Sequence, residues 1–381
     1  MAKIIRLFIV ENKRVLISII NLKGLSGAVN YINETVPVIK NKYGLEIDVL
    51  TSRKEKRAYS FKVRTTPLIK NLHGQLKRRA FSWYCDFISS EYALVNGHGE
   101  LLNQDVLTLH NLIHLTYEKF SKKPDGLWKF HDRMLSSGNF KILIANSQFM
   151  KKDLVSRFSI PDEKIRVIYP SYNSSVFTNI PSKQEAKKIL GISPSSFCFL
   201  LPASGDFAKR GVDRFLEIFF EILTVKKNCQ ALITGKDPST PLYLEKIKSL
   251  GLENKVKIIQ PVKEVKILYA CADCVLYPAV LEEFGISLTE AMACALPVLC
   301  SAETGACELM ENRAKSFSVC RSNREFVSRA LALISGQLPD EILLNNAIVV
   351  RKQKWEKTAA EIYEVYREIL VKNSIVINKP K

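Results

Sequence analysis

One stretch constrains this chain more than any other: Cys274 to Leu309, CVLYPAVLEEFGISLTEAMACALPVLCSAETGACEL. Residues 274–279 form a short apolar run with the length of a buried strand. Two acids, Phe284 and Gly285 follow, then ISLTEAMACA, whose composition is helical. Pro297 opens a second buried run, PVLCS, and after a Ser/Ala/Glu/Thr/Gly turn a further helix is predicted from about Ala306. Strand–loop–helix–strand–loop–helix is the grammar of a parallel sheet, whose ligands lie beyond the carboxyl ends of its strands. Glu282 falls in the loop and Glu290 about one turn into the helix, so both are predicted to face one crevice. The unpaired N–H groups and positive end of a helix start suit an anion such as a diphosphate. Carboxylates beside it accept hydrogen bonds from the vicinal hydroxyls of a ribose or hexose. Gly285 lets the backbone come close to the ligand.

The pair Glu282-(x7)-Glu290, embedded in EEFGISLTEAMACALPV, closely resembles the signature of the family 4 retaining glycosyltransferases of the GT-B fold. The resemblance implies an α/β chain of two Rossmann-like domains whose parallel sheets face each other across a cleft. It implies that Glu290 binds the ribose diol and Glu282 holds hydroxyls of the transferred sugar. Phe284, Gly285 and Ile286 then form the backbone wall of the nucleotide-sugar site.

At 381 residues the chain is too long for one ordinary core, so two domains are expected. No run approaches the roughly 18–20 apolar residues that span a bilayer. The opening MAKIIRLFIVENKR lacks a small-residue cleavage site and reads as an extra strand turning at Glu11–Lys13 rather than as a signal peptide. Nine cysteines, mostly inside apolar runs, read as reduced core residues of a cytosolic protein. Cys271 and Cys274 make one CxxC at a helix-to-strand passage, which predicts packing rather than zinc.

The formal charge of +18 is uneven, with about +13 of it in residues 1–170, and predicts an anionic partner for that half. The densest stretch, residues 53–79, continues into AFSWYCDFI. Leu68, Leu72, Leu76, Ala80, Trp83 and Phe87 recur there at helical spacing beside Lys70, Lys77, Arg78 and Arg79. Two readings stand: a basic amphipathic helix lying on an anionic membrane, or an apolar stripe packed on the domain's own sheet with its charges solvated. No recognisable nucleic-acid motif accompanies the patch, so no nucleic-acid partner is predicted.

The first half alternates apolar runs with helical segments. Strands are predicted near residues 15, 46, 92, 105, 141 and 165, which argues for a Rossmann-like domain. Gly24 and Gly27 precede a helix after the first strand, in a G-x-x-G that lacks the full dinucleotide fingerprint. The resemblance gives Gly27 a meaning, because family members carry a glycine-rich loop here facing donor sugar and acceptor. His98 and His110 sit in strand-end loops. His110 follows a clean strand, where the family often supplies a polar residue to the transferred sugar, and a structural role stands beside that one. His73, His114 and His131 read as incidental. Asn146-Ser147 caps a helix running to about Phe158.

A linker rich in Ser, Asn and Pro is predicted between about Ser171 and Glu185. The second domain opens with FCFLLPAS and the loop GDFAKRG, where Gly205, Lys209 and Arg210 lead into a helix. Two cations at a helix start can neutralise a diphosphate leaving group as its charge develops. GDFAKRGVDR is similar to the corresponding loop of the lipopolysaccharide core glucosyltransferases. Typical family members place Gly-Arg directly after the strand and a Lys later. This chain has Ala203-Ser204 there, so Lys209 and Arg210 supply both charges. Gly235 ends the next strand, and in the family the base is held mostly by backbone at such strand ends, near Val262 here. Residues 354–370 carry Trp355, Ala359, Ile362, Val365 and Tyr366 on one helical face. The expected organisation is an acceptor domain over 1–172, a nucleotide-sugar domain over 173–350, and a helical segment 351–381 crossing back to the first.

The reaction implied is retaining transfer of a hexose, glucose foremost, from a nucleotide sugar, UDP-glucose foremost, to a lipopolysaccharide-core or other glycolipid or glycan acceptor. Catalytic roles fall to Glu282, Lys209, Arg210 and His110, and nucleotide-sugar binding to Gly27, Gly205, Gly235, Val262, Phe284, Gly285, Ile286 and Glu290. No D-x-D follows a strand, so neither a metal nor a cofactor is expected. The protein is expected in the cytoplasm, peripheral on the inner face of the cell membrane. Alternatives are family 4 mannosyl-, galactosyl- or N-acetylhexosaminyltransferases on another surface polysaccharide, a GT-B nucleotide-sugar epimerase, and a non-catalytic nucleotide-sugar sensor.

Overall fold

The computed structural model describes residues 14–377 apart from 25, 67–68, 178 and 338–339, with backbone alone at 340–342, 345 and 374–377. The strand predicted ahead of Glu11–Lys13 and the stripe position Leu68 lie outside the described residues. The chain divides into two compact units, Met1–Pro170 with Trp355–Lys381, and Ser171–Lys354.

The first unit runs β1 (Arg14–Ser18), β2 (Asn21–Leu22), α1 (Gly27–Tyr43), β3 (Glu46–Thr51), β4 (Arg53–Lys54), β5 (Lys62–Thr65), α2 (Gly74–Ile88), β6 (Leu94–Gly97), β7 (Val106–Thr108), α3 (Ile113–Lys119), α4 (Gly126–Ser137), β8 (Ile142–Ala145), α5 (Gln148–Phe158) and β9 (Ile165–Val167). Its seven-stranded sheet has the order β5-β3-β1-β6-β7-β8-β9, and every pairing is parallel. Alternation along β1 shows how both faces are covered. Val15 and Ile17 join the core shared with α1, while Leu16 joins Phe81, Cys85 and Ile88 of α2. Such two-sided burial is why the strands read as unbroken apolar runs.

The second unit runs α6 (Lys183–Leu190), β10 (Phe197–Ser204), α7 (Val212–Val225), β11 (Cys229–Gly235), α8 (Thr240–Ser249), β12 (Val256–Ile259), α9 (Lys266–Cys271), β13 (Cys274–Tyr277), α10 (Ile286–Ala293), β14 (Val298–Ser301), α11 (Asn312–Ser318), β15 (Val319–Cys320), α12 (Asn323–Ile334) and α13 (Asp340–Lys352). Its parallel sheet has the order β12-β11-β10-β13-β14-β15. The last helix, α14 (Trp355–Ile377), belongs to the first unit, where Trp355, Ala359, Ile362, Val365, Tyr366, Ile369 and Leu370 enter the core on α1.

Three differences from the sequence reading have physical causes. The residues after Thr304 form a 3-10 turn, Gly305–Leu309, and the α-helix begins only at Asn312. Gly305 N–H is held by the Glu282 carbonyl and Ala306 N–H by that of Phe284, which fixes this turn to the neighbouring loop. An edge strand, β5, lies inside the basic stretch; its residues are exposed or half-buried, so no apolar run marks it. The helix α2 buries Phe81, Cys85 and Ile88; of the stripe read from spacing, Leu72 and Ala80 pack against that core, whereas Leu76, Trp83 and Phe87 are 62%, 69% and 72% exposed. No helix among the described residues is long and apolar enough to cross a membrane. The nine cysteines are free thiols, all buried except Cys294, with Cys271 Sγ 3.9 Å from Cys198 Sγ.

Candidate active site

In the second sheet the strand order reverses between β10 and β13, and a crevice opens where such a reversal occurs. The loops leaving these two strands are 205–211 and 278–285, so topology alone brings SGDFAKRG against PAVLEEFG. The junction is tight. Gly211 caps α7 with φ +74°, and a Cβ there would lie 2.0 Å from the Pro278 carbonyl oxygen. Val280 N–H donates to the Lys209 carbonyl at 3.0 Å, and Ser301 Oγ donates to that of Ala279 at 2.5 Å.

Across the junction the charges pair one to one. Lys209 Nζ donates to both carboxylate oxygens of Glu283, at 2.7 and 2.9 Å, and both side chains are buried. Arg210 donates to Glu282 Oε2, and Tyr277 O–H donates to the same oxygen at 2.6 Å. Glu282 is also fixed through its backbone: its N–H donates to the Glu303 carbonyl at 2.8 Å, and it bridges Thr304. Of the two cations predicted to neutralise a diphosphate, each is engaged with an acid of the facing loop. Lys209 is held inward by Glu283, and Arg210, with 22% of its side chain exposed, is the more open of the two.

Gly285 caps α10 with φ +96° and no side-chain cap, so Ile286 begins a helix whose first N–H groups have no side-chain acceptor. One turn on, Glu290 Oε2 accepts from Tyr269 O–H at 2.6 Å, and burial pushes its carboxyl up to about 7. The same tyrosine oxygen lies 3.1 Å from the Ser287 carbonyl, and the Ser287 hydroxyl bonds Tyr277. Glu282 and Glu290 therefore belong to one network joined through Tyr277, Ser287 and Tyr269. Phe284 is buried behind the loop.

Gly205 and Gly235 meet at the ends of β10 and β11, where Ser204 pairs with Gly235 in register. A Cβ on Gly235 would lie 2.7 Å from the Phe207 ring, and one on Gly205 3.2 Å from the Lys236 carbonyl oxygen. Around them Ser204 and Asp206 hold left-handed backbone, at φ 63° and 52°, a strain that gathers at functional loops. Asp237 fastens this loop by accepting from Phe207 N–H at 2.9 Å and Ser239 N–H at 2.8 Å. Val262 follows β12, half-buried.

Gly27 and His110 belong to the other unit. Gly27 opens α1 behind the cap Ser26, whose Oγ accepts from Val29 N–H at 3.2 Å, and Gly24 N–H donates to Glu55 Oε1 at 2.9 Å. His110 Nε2 lies 2.8 Å from His98 Nδ1, with Tyr31 edge-on to both rings. Burial holds His98 well below the usual imidazole range and His110 down to about 4, so the pair shares one hydrogen between neutral rings. Asn146 and Ser147 are accounted for by the cap, since Ser147 Oγ accepts from Met150 N–H at 3.0 Å.

Sequence reasoning passed over Glu283, Tyr277, Tyr269 and Asp237. Glu283 had a signal: two adjacent acids in one loop and two adjacent cations in another match in number. The tyrosines gave none, because each sits in an apolar run and shows its function only through its hydroxyl.

Comparison with known proteins gives the same picture. The description "Glycosyl transferases group 1" matches residues 183–350, and "Glycosyltransferase Family 4" matches residues 26–175. Lipopolysaccharide glucosyltransferase WaaG of Escherichia coli is 31% identical over 140 residues, 36% of each chain. Other curated relatives match over 59% and 56% of their own length, so this chain aligns with only part of each. Among solved structures, a crystal structure of WaaG superposes with TM-score 0.75 at 19% identity, covering 91% of this chain and 98% of that one. HepE of Anabaena, in complex with UDP and glucose, gives 0.74 at 17%, covering 93% and 99%. These likenesses establish the GT-B fold, and with the two family matches, which together span most of residues 26–350, they show that the chain belongs to the group 1, family 4 glycosyltransferases.

Proposed function

We propose that the chain transfers glucose from UDP-glucose to a lipopolysaccharide-core or similar glycolipid acceptor, with retention of anomeric configuration and without a metal or other cofactor. One observation carries the reading: Arg210 and Glu282 paired at the strand reversal, beside the uncapped start of α10. Arg210 and the first N–H groups of α10 meet the diphosphate, a fixed array that needs no reorganisation as charge develops. Glu290 accepts from the ribose diol. Glu282, braced by Tyr277, accepts from the hexose hydroxyls and turns the anomeric carbon toward the acceptor. Lys209 keeps Glu283 neutralised beneath the loop and adds its field to the site.

In the transfer step the acceptor oxygen forms a bond to the anomeric carbon as the bond from that carbon to the phosphate oxygen breaks. The electron pair leaves with UDP, and the acceptor's proton passes to the departing phosphate. Both events occur on one face, which retains configuration.

Glucose and UDP are supported by what WaaG is named for and by what HepE was crystallised with. The glycolipid acceptor and the cytoplasmic membrane face are supported by α2. Its exposed Leu76, Trp83 and Phe87, with exposed Arg79 and Lys70 nearby, form an apolar-and-basic surface suited to anionic lipid. A panel of nucleotide sugars, screened for thermal stabilisation and then for transfer to deep-rough lipopolysaccharide, tests the whole reading. UDP-glucose is expected to give the largest shift and to be consumed only with acceptor present. A larger shift with another donor overturns the sugar assignment, and a new sugar formed without acceptor makes the protein an epimerase.

A further inference from the structure

Buried polar atoms without a hydrogen-bond partner are rare in folded proteins, and each costs about 1–3 kcal/mol. Among the described residues of this chain they are uneven: one of the nine, Asn346 Oδ1, lies in the second unit and eight lie in the first. Several sit at the carboxyl edge of the first sheet. Ser18 ends β1, Glu100 follows β6, Tyr31 and Arg78 stand in the second turns of α1 and α2, and Trp355 opens α14. The strand order of this sheet reverses between β1 and β6, the place where a ligand crevice forms.

Beside this edge a pocket of about 510 Å³ lies between α2 and α4, lined by Gly74, Gln75 and Arg78 on one side and Asp125, Gly126 and Lys129 on the other. Gln75 Nε2 donates to the Gly126 carbonyl at 3.3 Å and ties the two helix starts together. Its charges do not cancel. Asp125 is engaged as the cap of α4, accepting from Leu127 N–H at 2.8 Å and Trp128 N–H at 3.1 Å. Arg78 Nε and Glu100 Oε2 both lack partners. Burial pushes the Glu100 carboxyl up to about 8 against the opposing field of Arg78 and a backbone hydrogen bond at Ile20, so at neutral pH it is protonated and Asp125, held low in part by Arg78, is the pocket's one carboxylate facing two cations. Two cations, Arg78 and Lys129, against one carboxylate leave a net positive charge that suits a phosphate, and the unpartnered Ser18 Oγ and Glu100 Oε2 suit sugar hydroxyls.

We propose that this edge is a subsite for a phosphate-bearing sugar, with Arg78 and Lys129 on the phosphate and Glu100 and Ser18 on the sugar hydroxyls. As the acceptor's subsite it rests on the transferase reading, and it names the acceptor chemistry: a sugar phosphorylated close to the hydroxyl that is glycosylated.

The test measures thermal stabilisation and calorimetric binding on the full chain with glucose 6-phosphate, inorganic phosphate, glucose and UDP-glucose. Glucose 6-phosphate is expected to bind at least about tenfold more tightly than inorganic phosphate or glucose. Arg78→Met is expected to weaken it by about tenfold or more. Lys129→Glu, at an exposed position, is expected to weaken it in the same direction, and both variants are expected to keep the UDP-glucose shift. Equal binding of inorganic phosphate and sugar phosphate removes the sugar from the proposal. Unchanged glucose 6-phosphate binding in both variants, or none in the native chain, overturns it. Should UDP-glucose fail while glucose 6-phosphate binds through Arg78, the transferase reading falls and the subsite stands.

Discussion

At the scale of single residues, the consequential arrangement is two ion pairs side by side with different exposure. Lys209 and Glu283 have 7% and 3% of their side chains exposed, so removing one partner strands the other's charge away from water. Lys209→Met is expected to destabilise the fold by about 3–5 kcal/mol. Adding Glu283→Leu to that variant is expected to recover most of the loss, because replacing a whole buried pair is often neutral. Urea unfolding of the two single variants and the double variant closes the cycle, and an additive double variant would show that the pair is not coupled. Glu290 makes the second residue-scale prediction. Its folded pKa, about 7, lies above the ordinary carboxyl value of 4.5, so the folded chain holds a proton that the unfolded chain has lost between those values. Its contribution to stability is therefore fully present below the lower value and is lost as pH rises toward 7. Ligand binding runs the opposite way. A carboxylate accepting from the ribose diol binds UDP-glucose more tightly as pH rises through 7, and Glu290→Gln is expected to flatten both profiles in calorimetric titrations between pH 5.5 and 8.5 (about one pH unit and a half either side).

At the scale of elements, Gly211 and α2 show what a sequence pattern states and what it hides. Gly211 was legible as a glycine at a helix start, but its reason, the Pro278 carbonyl 2.0 Å from where a Cβ would stand, belongs to another strand's loop. Gly251 also has positive φ, +67°, with nothing within 4 Å of the added atom. Gly251→Ala is therefore expected to cost about 1–2 kcal/mol from backbone strain alone, and Gly211→Ala clearly more, read as a larger fall in melting temperature. The Glu282–Glu290 segment was legible because a turn, a helix start and two acids are local and evenly spaced. The face that α2 buries was not, since apolar residues lie on more than one side of the helix and spacing cannot say which side meets a sheet. Phe81, Cys85 and Ile88 met it, leaving Trp83 and Phe87 stacked on each other in the open, ring centroids 6.2 Å apart. Replacing both exposed rings by serine is expected to change folding stability by no more than about 0.5 kcal/mol. The same change is expected to abolish sedimentation with anionic liposomes; retained binding would remove the membrane role of this helix.

At the scale of the whole molecule, the two units differ in how the chain builds them. The second is one continuous segment, Ser171–Lys354, and the first is completed only when the chain returns at Trp355. That return is not peripheral. Seven residues of α14 from Trp355 to Leu370 are buried in the core shared with β1, β3 and α1, and Tyr366 O–H accepts from Asn96 Nδ2 at 2.7 Å. At about 1.5–3 kcal/mol for each large apolar side chain, six such side chains amount to roughly 9–18 kcal/mol, comparable with the entire stability of a typical domain, about 5–15 kcal/mol. The heptad-like recurrence of Trp355, Ile362 and Tyr366 made this helix visible in the sequence, but which core it completes depends on contacts nearly three hundred residues away, beyond any local pattern. A chain ending at Lys354 is therefore expected to lose the folded first unit, with its near-ultraviolet signal and amide-exchange protection, while residues 171–354 stay folded. Because Arg210, Glu282, Glu290 and the start of α10 all lie in that continuous segment, the truncated chain is expected to keep UDP-glucose binding and to lose transfer. Binding lost together with the first unit would mean that the donor is gripped from both units, and that the network around Glu282 is by itself too weak to hold it.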